Sequence, residues 1–220
     1  MHQSVNNLNI IKTQIHEELK KLNLKDKIPN IIAVSKTFPM EKIKPLIESS
    51  HIHFGENRVQ EAFSKWSEVK SKYKNIKLHL VGKLQTNKAK QAIELFDYIH
   101  SLDSIKLAKK ISEEQKKIKK KPKLFIQINI GEEPQKSGIK KNEIVDFYNF
   151  CKELNLDIIG TMCLPPMESN VENYFFEMKS LNEKINLNEL SIGMSNDYLL
   201  AIKHSATYLR IGTKIFGERN

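Results

Sequence analysis

Short apolar runs recur along the chain with room for one helix between each pair: IIAV (31–34), HIHF (51–54), KLHLV (77–81), DYIH (97–100), KLFIQINI (123–130), LDIIG (156–160), ELSI (189–192) and TYLRI (207–211). Their length and their content of Val, Ile, Tyr and Phe predict strands. The segments between them, such as MEKIKPLIESS, NRVQEAFSKWSEVKSKY and NEIVDFYNFCKEL, set apolar residues three and four apart, which is the spacing of one helix face. A further helix, from about Val5 to Leu22, precedes the first strand. Strict alternation of strand and helix demands parallel strands joined by crossovers. Eight such units in 220 residues fit an α/β fold, a single (β/α)8 TIM barrel with an extra N-terminal helix, with a doubly wound open sheet as runner-up. No Gly/Ser-rich linker or fixed repeat divides the chain, so residues 1–220 are expected to form one domain.

Composition narrows the class. With 40% hydrophobic and 28% charged residues the chain reads as globular, and its apolar runs are far shorter than the roughly 20 residues of a membrane span. The N-terminus lacks a basic segment followed by an apolar core, so no secretory signal is readable and a cytoplasmic location is expected. Cys151 and Cys163 stand outside any CxxC or Cys/His cluster, which argues against a disulfide framework and a zinc site. A net charge of +10 raises the question of nucleic acid. Yet only Arg58, Arg210 and Arg219 are arginines, and groove readers lean on the bidentate guanidinium. The densest lysine run, KKIKKK at 116–121, falls where a helix should end before Pro122 and reads as a solvated helix end. His51, His53 and His100 read as structural histidines, no metal is expected, and Trp66 and Phe63 are expected in the core.

A parallel barrel builds its active site at the C-terminal ends of its strands. The polar residues expected there are pointed. Ile32, Val34 and Lys36 alternate onto one face, so Lys36 closes an apolar row aimed into the barrel. An inward lysine either snorkels to water or is desolvated into a nucleophilic amine suited to Schiff-base chemistry. The loops after strands seven and eight, GMSND and RIGTK, lie where barrels commonly bind phosphate. Gly193 and Gly212 allow close approach of the backbone, Ser195 is placed as N-cap of a short helix over NDYLLAIKH, and Thr213 adds a hydroxyl. Two such loops with an inward lysine point to a phosphorylated aldehyde, pyridoxal 5'-phosphate (PLP).

The motifs AVSKT (33–37), FGENRVQE (54–61), LHLVGKLQTNKAK (78–90), QINIGEEPQKSG (127–138), GTMCLPP (160–166), LSIGMSND (190–197) and RIGTKIFGER (210–219) resemble those of the PLP homeostasis proteins, the YggS/PROSC family. Their fold resembles the alanine racemase N-terminal barrel of the fold-type III PLP proteins. The resemblance implies that Lys36 holds PLP as a Schiff base, and that Ser195, Gly212 and Thr213 form the phosphate cup with Met194 against the cofactor. It implies further that Asn57 and His79 are polar wall residues near the ring and that Arg210 faces the pyridine nitrogen. A guanidinium there disfavours protonation of the ring and weakens it as an electron sink. Leu78 stands where an aromatic residue is common in the family and Lys83 where proline is frequent. Both departures touch the rim.

Three functions are weighed. The first is a PLP-binding protein of intracellular PLP homeostasis that stores, buffers or delivers the cofactor with little or no catalysis, with PLP-dependent apo-enzymes as recipients and a monomer or weak dimer as its state. The second is a minimal PLP-dependent amino-acid racemase. The third is a nucleic-acid binder. The chain stops at GERN, and the expectation is that no second domain of the racemase kind follows. That expectation and the paired glycine loops favour the first reading.

Overall fold

A computed structural model describes residues 2–24, 27–166 and 170–218. Eight strands alternate with helices: α1 (Gln3–Lys21), β1 (Asn30–Val34), α2 (Met40–Glu48), β2 (His53–Glu56), α3 (Val59–Lys72), β3 (Lys77–Leu80), α4 (Ala89–Leu95), β4 (Tyr98–Leu102), α5 (Ile105–Ile118), β5 (Lys123–Ile128), α6 (Ile144–Glu153), β6 (Ile158–Cys163), α7 (Val171–Lys184), β7 (Glu189–Met194), α8 (Tyr198–Lys203), β8 (Tyr208–Ile211) and α9 (Thr213–Phe216). All pairings are parallel, and β8 returns to β1 through Ile32↔Arg210 and its neighbours, which closes the barrel. The chain is therefore a barrel and not the open sheet. Arg219, at the end of the last motif, lies outside the described residues.

Alternation along the strands sorts the apolar residues into two cores. Outward residues such as Ala33, Phe54, Leu78, Ile99, Leu124 and Leu209 pack with the inner faces of the helices. Inward residues Ile32, Val34, Tyr98, Phe125, Met162 and Tyr208, with Val81, form a separate cluster inside the barrel. Removing both layers from water is the main stabilising term of such a fold. Helix α1 packs beside the last turns of the chain: Asn7 Nδ2 donates to Ile215 O at 3.0 Å, and the Tyr198 hydroxyl donates to Gln14. No helix among the described residues is long and apolar enough to cross a membrane.

Several boundaries and burials differ from the sequence expectation, each for a local reason. Strand β2 begins at His53 rather than at His51, because its pairing with β1 runs through Ala33↔Phe54 and Val34↔Gly55. Met162 and Cys163 lie inside β6 and are fully buried, not in the loop after it. Phe63 is 38% exposed whereas Trp66 is fully buried. Val59, Ala62 and Trp66 define the inner stripe of α3, and Phe63 falls about a hundred degrees round from it. The lysine run does end a helix: α5 stops at Ile118, and Lys119 takes a left-handed conformation with φ 56°.

Candidate functional site

Four adjacent strands, in the order β7-β8-β1-β2, carry most of the candidate residues to one end of the barrel. Lys36 follows β1, Asn57 follows β2, Met194 ends β7 with Ser195 after it, Arg210 lies in β8, and Gly212 and Thr213 follow β8. A Cβ on Gly212 would reach Val34 O at 3.3 Å, so the β8 turn lies against the end of β1. Met194 and Arg210 are register partners. Asn57 is joined to β3 by backbone packing, since a Cβ on Gly82 would stand 2.3 Å from Asn57 O.

The lysine segment is held from below and from the side. Lys36 itself is half-buried, two residues beyond β1. Ser35 N donates to Gly55 O at 2.9 Å, and its hydroxyl donates to Glu56 Oε1 at 2.7 Å. The Glu56 side chain is fully buried and the same oxygen accepts from Lys65 Nζ at 3.0 Å and Trp66 Nε1 at 2.9 Å. Lys65 Nζ donates also to Ser35 O, and Thr37 N donates to Glu61 Oε1 at 2.9 Å. That bond, with Lys65 beside it, holds the Glu61 carboxyl below its usual range against the opposing effect of burial. Thr37 sits at φ 66°, a strained setting for a β-branched residue that the clamp from α3 sustains. Sequence reasoning missed Glu56, Glu61 and Lys65 as supports. The signal was present in the i,i+4 pair 61/65 and in a carboxylate set at a strand end.

Ser195 does not cap α8. Strand β7 spends three residues, from Ser191 to Met194, against two on β8, and Gly193 absorbs the extra residue at φ 86°. A Cβ on Gly193 would meet Ala201 Cβ at 2.6 Å, so glycine there serves both the bulge and the packing of α8. The chain then turns before α8, whose N-cap is Asp197, with Oδ1 accepting from Met194 N at 2.5 Å. Ser195 Oγ is directed instead at the start of α9, accepting from Gly212 N at 3.3 Å and Lys214 N at 3.4 Å. Thr213 is exposed at the same place. Ser195 Oγ thus gathers the Gly212 and Lys214 N–H groups at the start of α9, while the Asp197 carboxylate in the same loop is turned to Met194 N.

Arg210 is 5% exposed. Its Nη1 donates to Ser191 O and Ser191 Oγ, both at 2.6 Å, and its Nη2 donates to Cys163 O at 2.7 Å. Burial lowers its pKa, yet guanidinium starts so high that it stays the cation. His79 departs from the role of an open polar wall. It is fully enclosed, stacks on Tyr98 with centroids 4.2 Å apart, and both ring nitrogens are engaged. Nε2 lies 2.9 Å from His53 Nδ1, and Nδ1 lies 2.9 Å from His100 Nε2. His100 Nδ1 in turn lies 2.9 Å from Ser191 Oγ. Burial drives His79 and His100 well below the usual imidazole value; His100 then feels the Arg210 charge most, and His79 the neighbouring histidines. Burial also brings His51 and His53 to about 4. The three linked rings bond one another rather than converge, and among the described residues no group of three or more His, Cys, Asp or Glu is placed to hold a metal. Both thiols are buried and pushed up to about 12 by desolvation, so neither is a nucleophile at neutral pH. A groove of about 550 Å³ passes Lys83, Asp103 and Lys136 and is lined by none of the candidate residues.

The sequence pattern of the alanine racemase N-terminal domain family matches residues 11–220. A pyridoxal phosphate homeostasis protein of Haemophilus influenzae is 36% identical over 97% of this chain and 95% of its own length. Among solved structures, PipY of Synechococcus elongatus with PLP bound superposes with a TM-score of 0.80 at 34% identity, covering 92% of this chain and all of that one. A Clostridium difficile alanine racemase shares the fold, with a TM-score of 0.74 at 18% identity, covering 99% of this chain but 57% of the racemase. The barrel, the strand-end residues and near full-length likeness agree: the chain belongs to the PLP homeostasis family, built on the alanine racemase N-terminal barrel.

Proposed function

We propose that this chain, with residues 1–220 as one binding domain, holds PLP covalently on Lys36 and serves intracellular PLP homeostasis by storing, buffering or delivering it. The observation that carries the reading is the convergence of Lys36, an uncharged donor cup and a buried arginine on β7-β8-β1-β2, in a chain so similar to PLP homeostasis proteins. The cup fits a phosphate chemically, since it offers hydroxyl and backbone N–H donors, and the nearby Asp197 carboxylate is occupied by Met194 N. Gly212 fits it sterically: φ is −115°, open to any residue, and its own surroundings press on a Cβ only at Val34 O, so glycine keeps space for a group beyond. When bound, PLP supplies an electrophilic aldehyde and an electron-withdrawing ring.

The chain's own residues assign the rest. Lys36 provides the amine. Ser195, Thr213 and the backbone at Gly212 orient the phosphate, with Met194 and Asn57 lining the approach. Three bonds occupy Arg210 from below, and a guanidinium with five N–H donors keeps others for the ring nitrogen. His79 contributes indirectly, through His100 and Ser191. The cup is checked by substitution: Ser195→Ala and Thr213→Ala should each weaken PLP binding by about 1 to 2 kcal/mol. Pyridoxal, lacking the phosphate, should bind both variants as it binds the parent, and equal losses for the two ligands would move the phosphate elsewhere.

Racemisation is disfavoured by geometry. It needs an acid or base on each face of the substrate plane, and Lys36 serves one. Tyr208 is buried in the barrel interior with its phenol pKa raised by burial, and the Tyr198 hydroxyl is engaged by Gln14 on α1. PLP-loaded protein under excess L-alanine should therefore form no D-alanine. Multiple turnovers that vanish in Lys36→Ala would establish the racemase instead. The same reading places the protein in the cytoplasm as a monomer or weak dimer, with PLP-dependent apo-enzymes as recipients.

A further inference from the structure

Three histidines, a serine and an arginine from five different strands form a continuous hydrogen-bonded row inside the barrel. It runs His53, His79, His100, Ser191, Arg210, with separations of 2.9, 2.9, 2.9 and 2.6 Å. His79, His100 and Ser191 are fully buried. The ring planes are fixed by stacking of His79 on Tyr98 and of His100 on Phe125, both with centroids 4.2 Å apart. A role in capture of PLP is not needed to explain any one histidine, but the row ends on the residue assigned to the cofactor ring.

We propose that this row is a one-way hydrogen-bond chain that locks the Arg210 guanidinium in place, which makes Ser191 and His100 positioning residues for PLP; the role in PLP binding rests on the function proposed above. The direction follows from donor chemistry. Arginine only donates, so Ser191 Oγ accepts from Arg210, and the one partner left to receive the Ser191 hydroxyl proton is His100 Nδ1. His100 then carries its proton on Nε2 and donates to His79 Nδ1. By the same step His79 donates from Nε2 to His53 Nδ1, and His53 carries its own proton on Nε2. Reversing any single ring would set two N–H groups or two lone pairs face to face at 2.9 Å in a buried site. The guanidinium, already bonded to the Ser191 and Cys163 carbonyls, thereby gains a third anchor in a hydroxyl whose direction is fixed through four residues.

Two measurements test this. In PLP-free protein labelled with 15N-histidine, long-range N–H correlation spectra should show His53, His79 and His100 as neutral Nε2–H tautomers at neutral pH; a Nδ1–H form at any of them overturns the chain. In PLP-loaded protein, Ser191→Ala and His100→Leu should shift the pH midpoint of the visible band by about one unit, a tenfold change in the proton equilibrium. His100→Asn, whose amide oxygen replaces Nδ1 as acceptor, should restore the midpoint. An unmoved midpoint in Ser191→Ala overturns the positioning role even if His100→Leu does not fold. A parent protein without any visible band would sink the PLP reading, while the tautomers would still decide the chain.

Discussion

Lys36→Ala protein mixed with PLP should lack the visible aldimine band, and borohydride should fix no adduct on the peptide at position 36, whereas the parent should yield one modified peptide carrying Lys36. The expected effect is complete, because it removes the covalent bond and leaves only the cup and Arg210 to hold the cofactor. Among the lysines near this end of the barrel, Lys65 is the natural substitute, being 12% exposed and close to Ser35. Its Nζ is engaged in ion pairs with Glu56 and Glu61, which hold it away from the barrel mouth. A reduced adduct mapped to Lys65, or an unchanged spectrum in Lys36→Ala, would therefore contradict the assignment. Residual non-covalent affinity that falls further with Thr213→Ala would agree with it.

Acid should unfold this protein steeply. His51, His53, His79 and His100 are all held neutral in the fold, chiefly by burial. Their folded pKa values lie below the unfolded value of about 6.5. Between the two, the unfolded chain binds the protons first, so this stability is fully present above pH 6.5 and drains away as pH falls toward about 4. Each histidine contributes a slope approaching about 1.4 kcal/mol per pH unit in that window, less for His53 because it is only partly buried. Urea unfolding at a series of pH values should show a proton uptake of three to four in this window, on the order of the four histidines named. His100→Asn should lower that uptake by one. A stability flat from pH 7 to pH 5 would mean that the row is protonated or solvated in the folded protein.

How far the sequence carried differs between the two halves of the site. Strand periodicity set Lys36 in line with Ile32 and Val34, and both of these do belong to the inner cluster, while its proposed role came from the resemblance. The proposed cup rests on glycine and hydroxyl residues clustered in two short loops, which the chain order displays directly. The histidine row was not legible in this way. His53, His79, His100 and Ser191 are separated along the chain by 26, 21 and 91 residues, and each alone reads as a satisfied core residue. Only closure of the barrel, with registers such as Gly55↔His79 and Ser191↔Tyr208, brings them into line. Ser195 shows the opposite error. A helix start was correctly sensed nearby, but the bulge at Gly193 shifts the register, so the hydroxyl serves the next helix and not its own.

The bond from Asn7 on α1 to Ile215 beside α9 spans 208 residues. Together with the pairing of β1 and β8, it ties the strand before Lys36 to residues synthesised far later. A nascent chain can form its early strand-helix units as they emerge, but Arg210, Gly212 and Thr213 are absent until the seven units before β8 have been made. Until then the proposed role of Lys36 would rest on a solitary, hydrolysable bond. On the function proposed above, a chain that stops short of β8 should therefore lose its PLP on dilution, where the whole barrel keeps it.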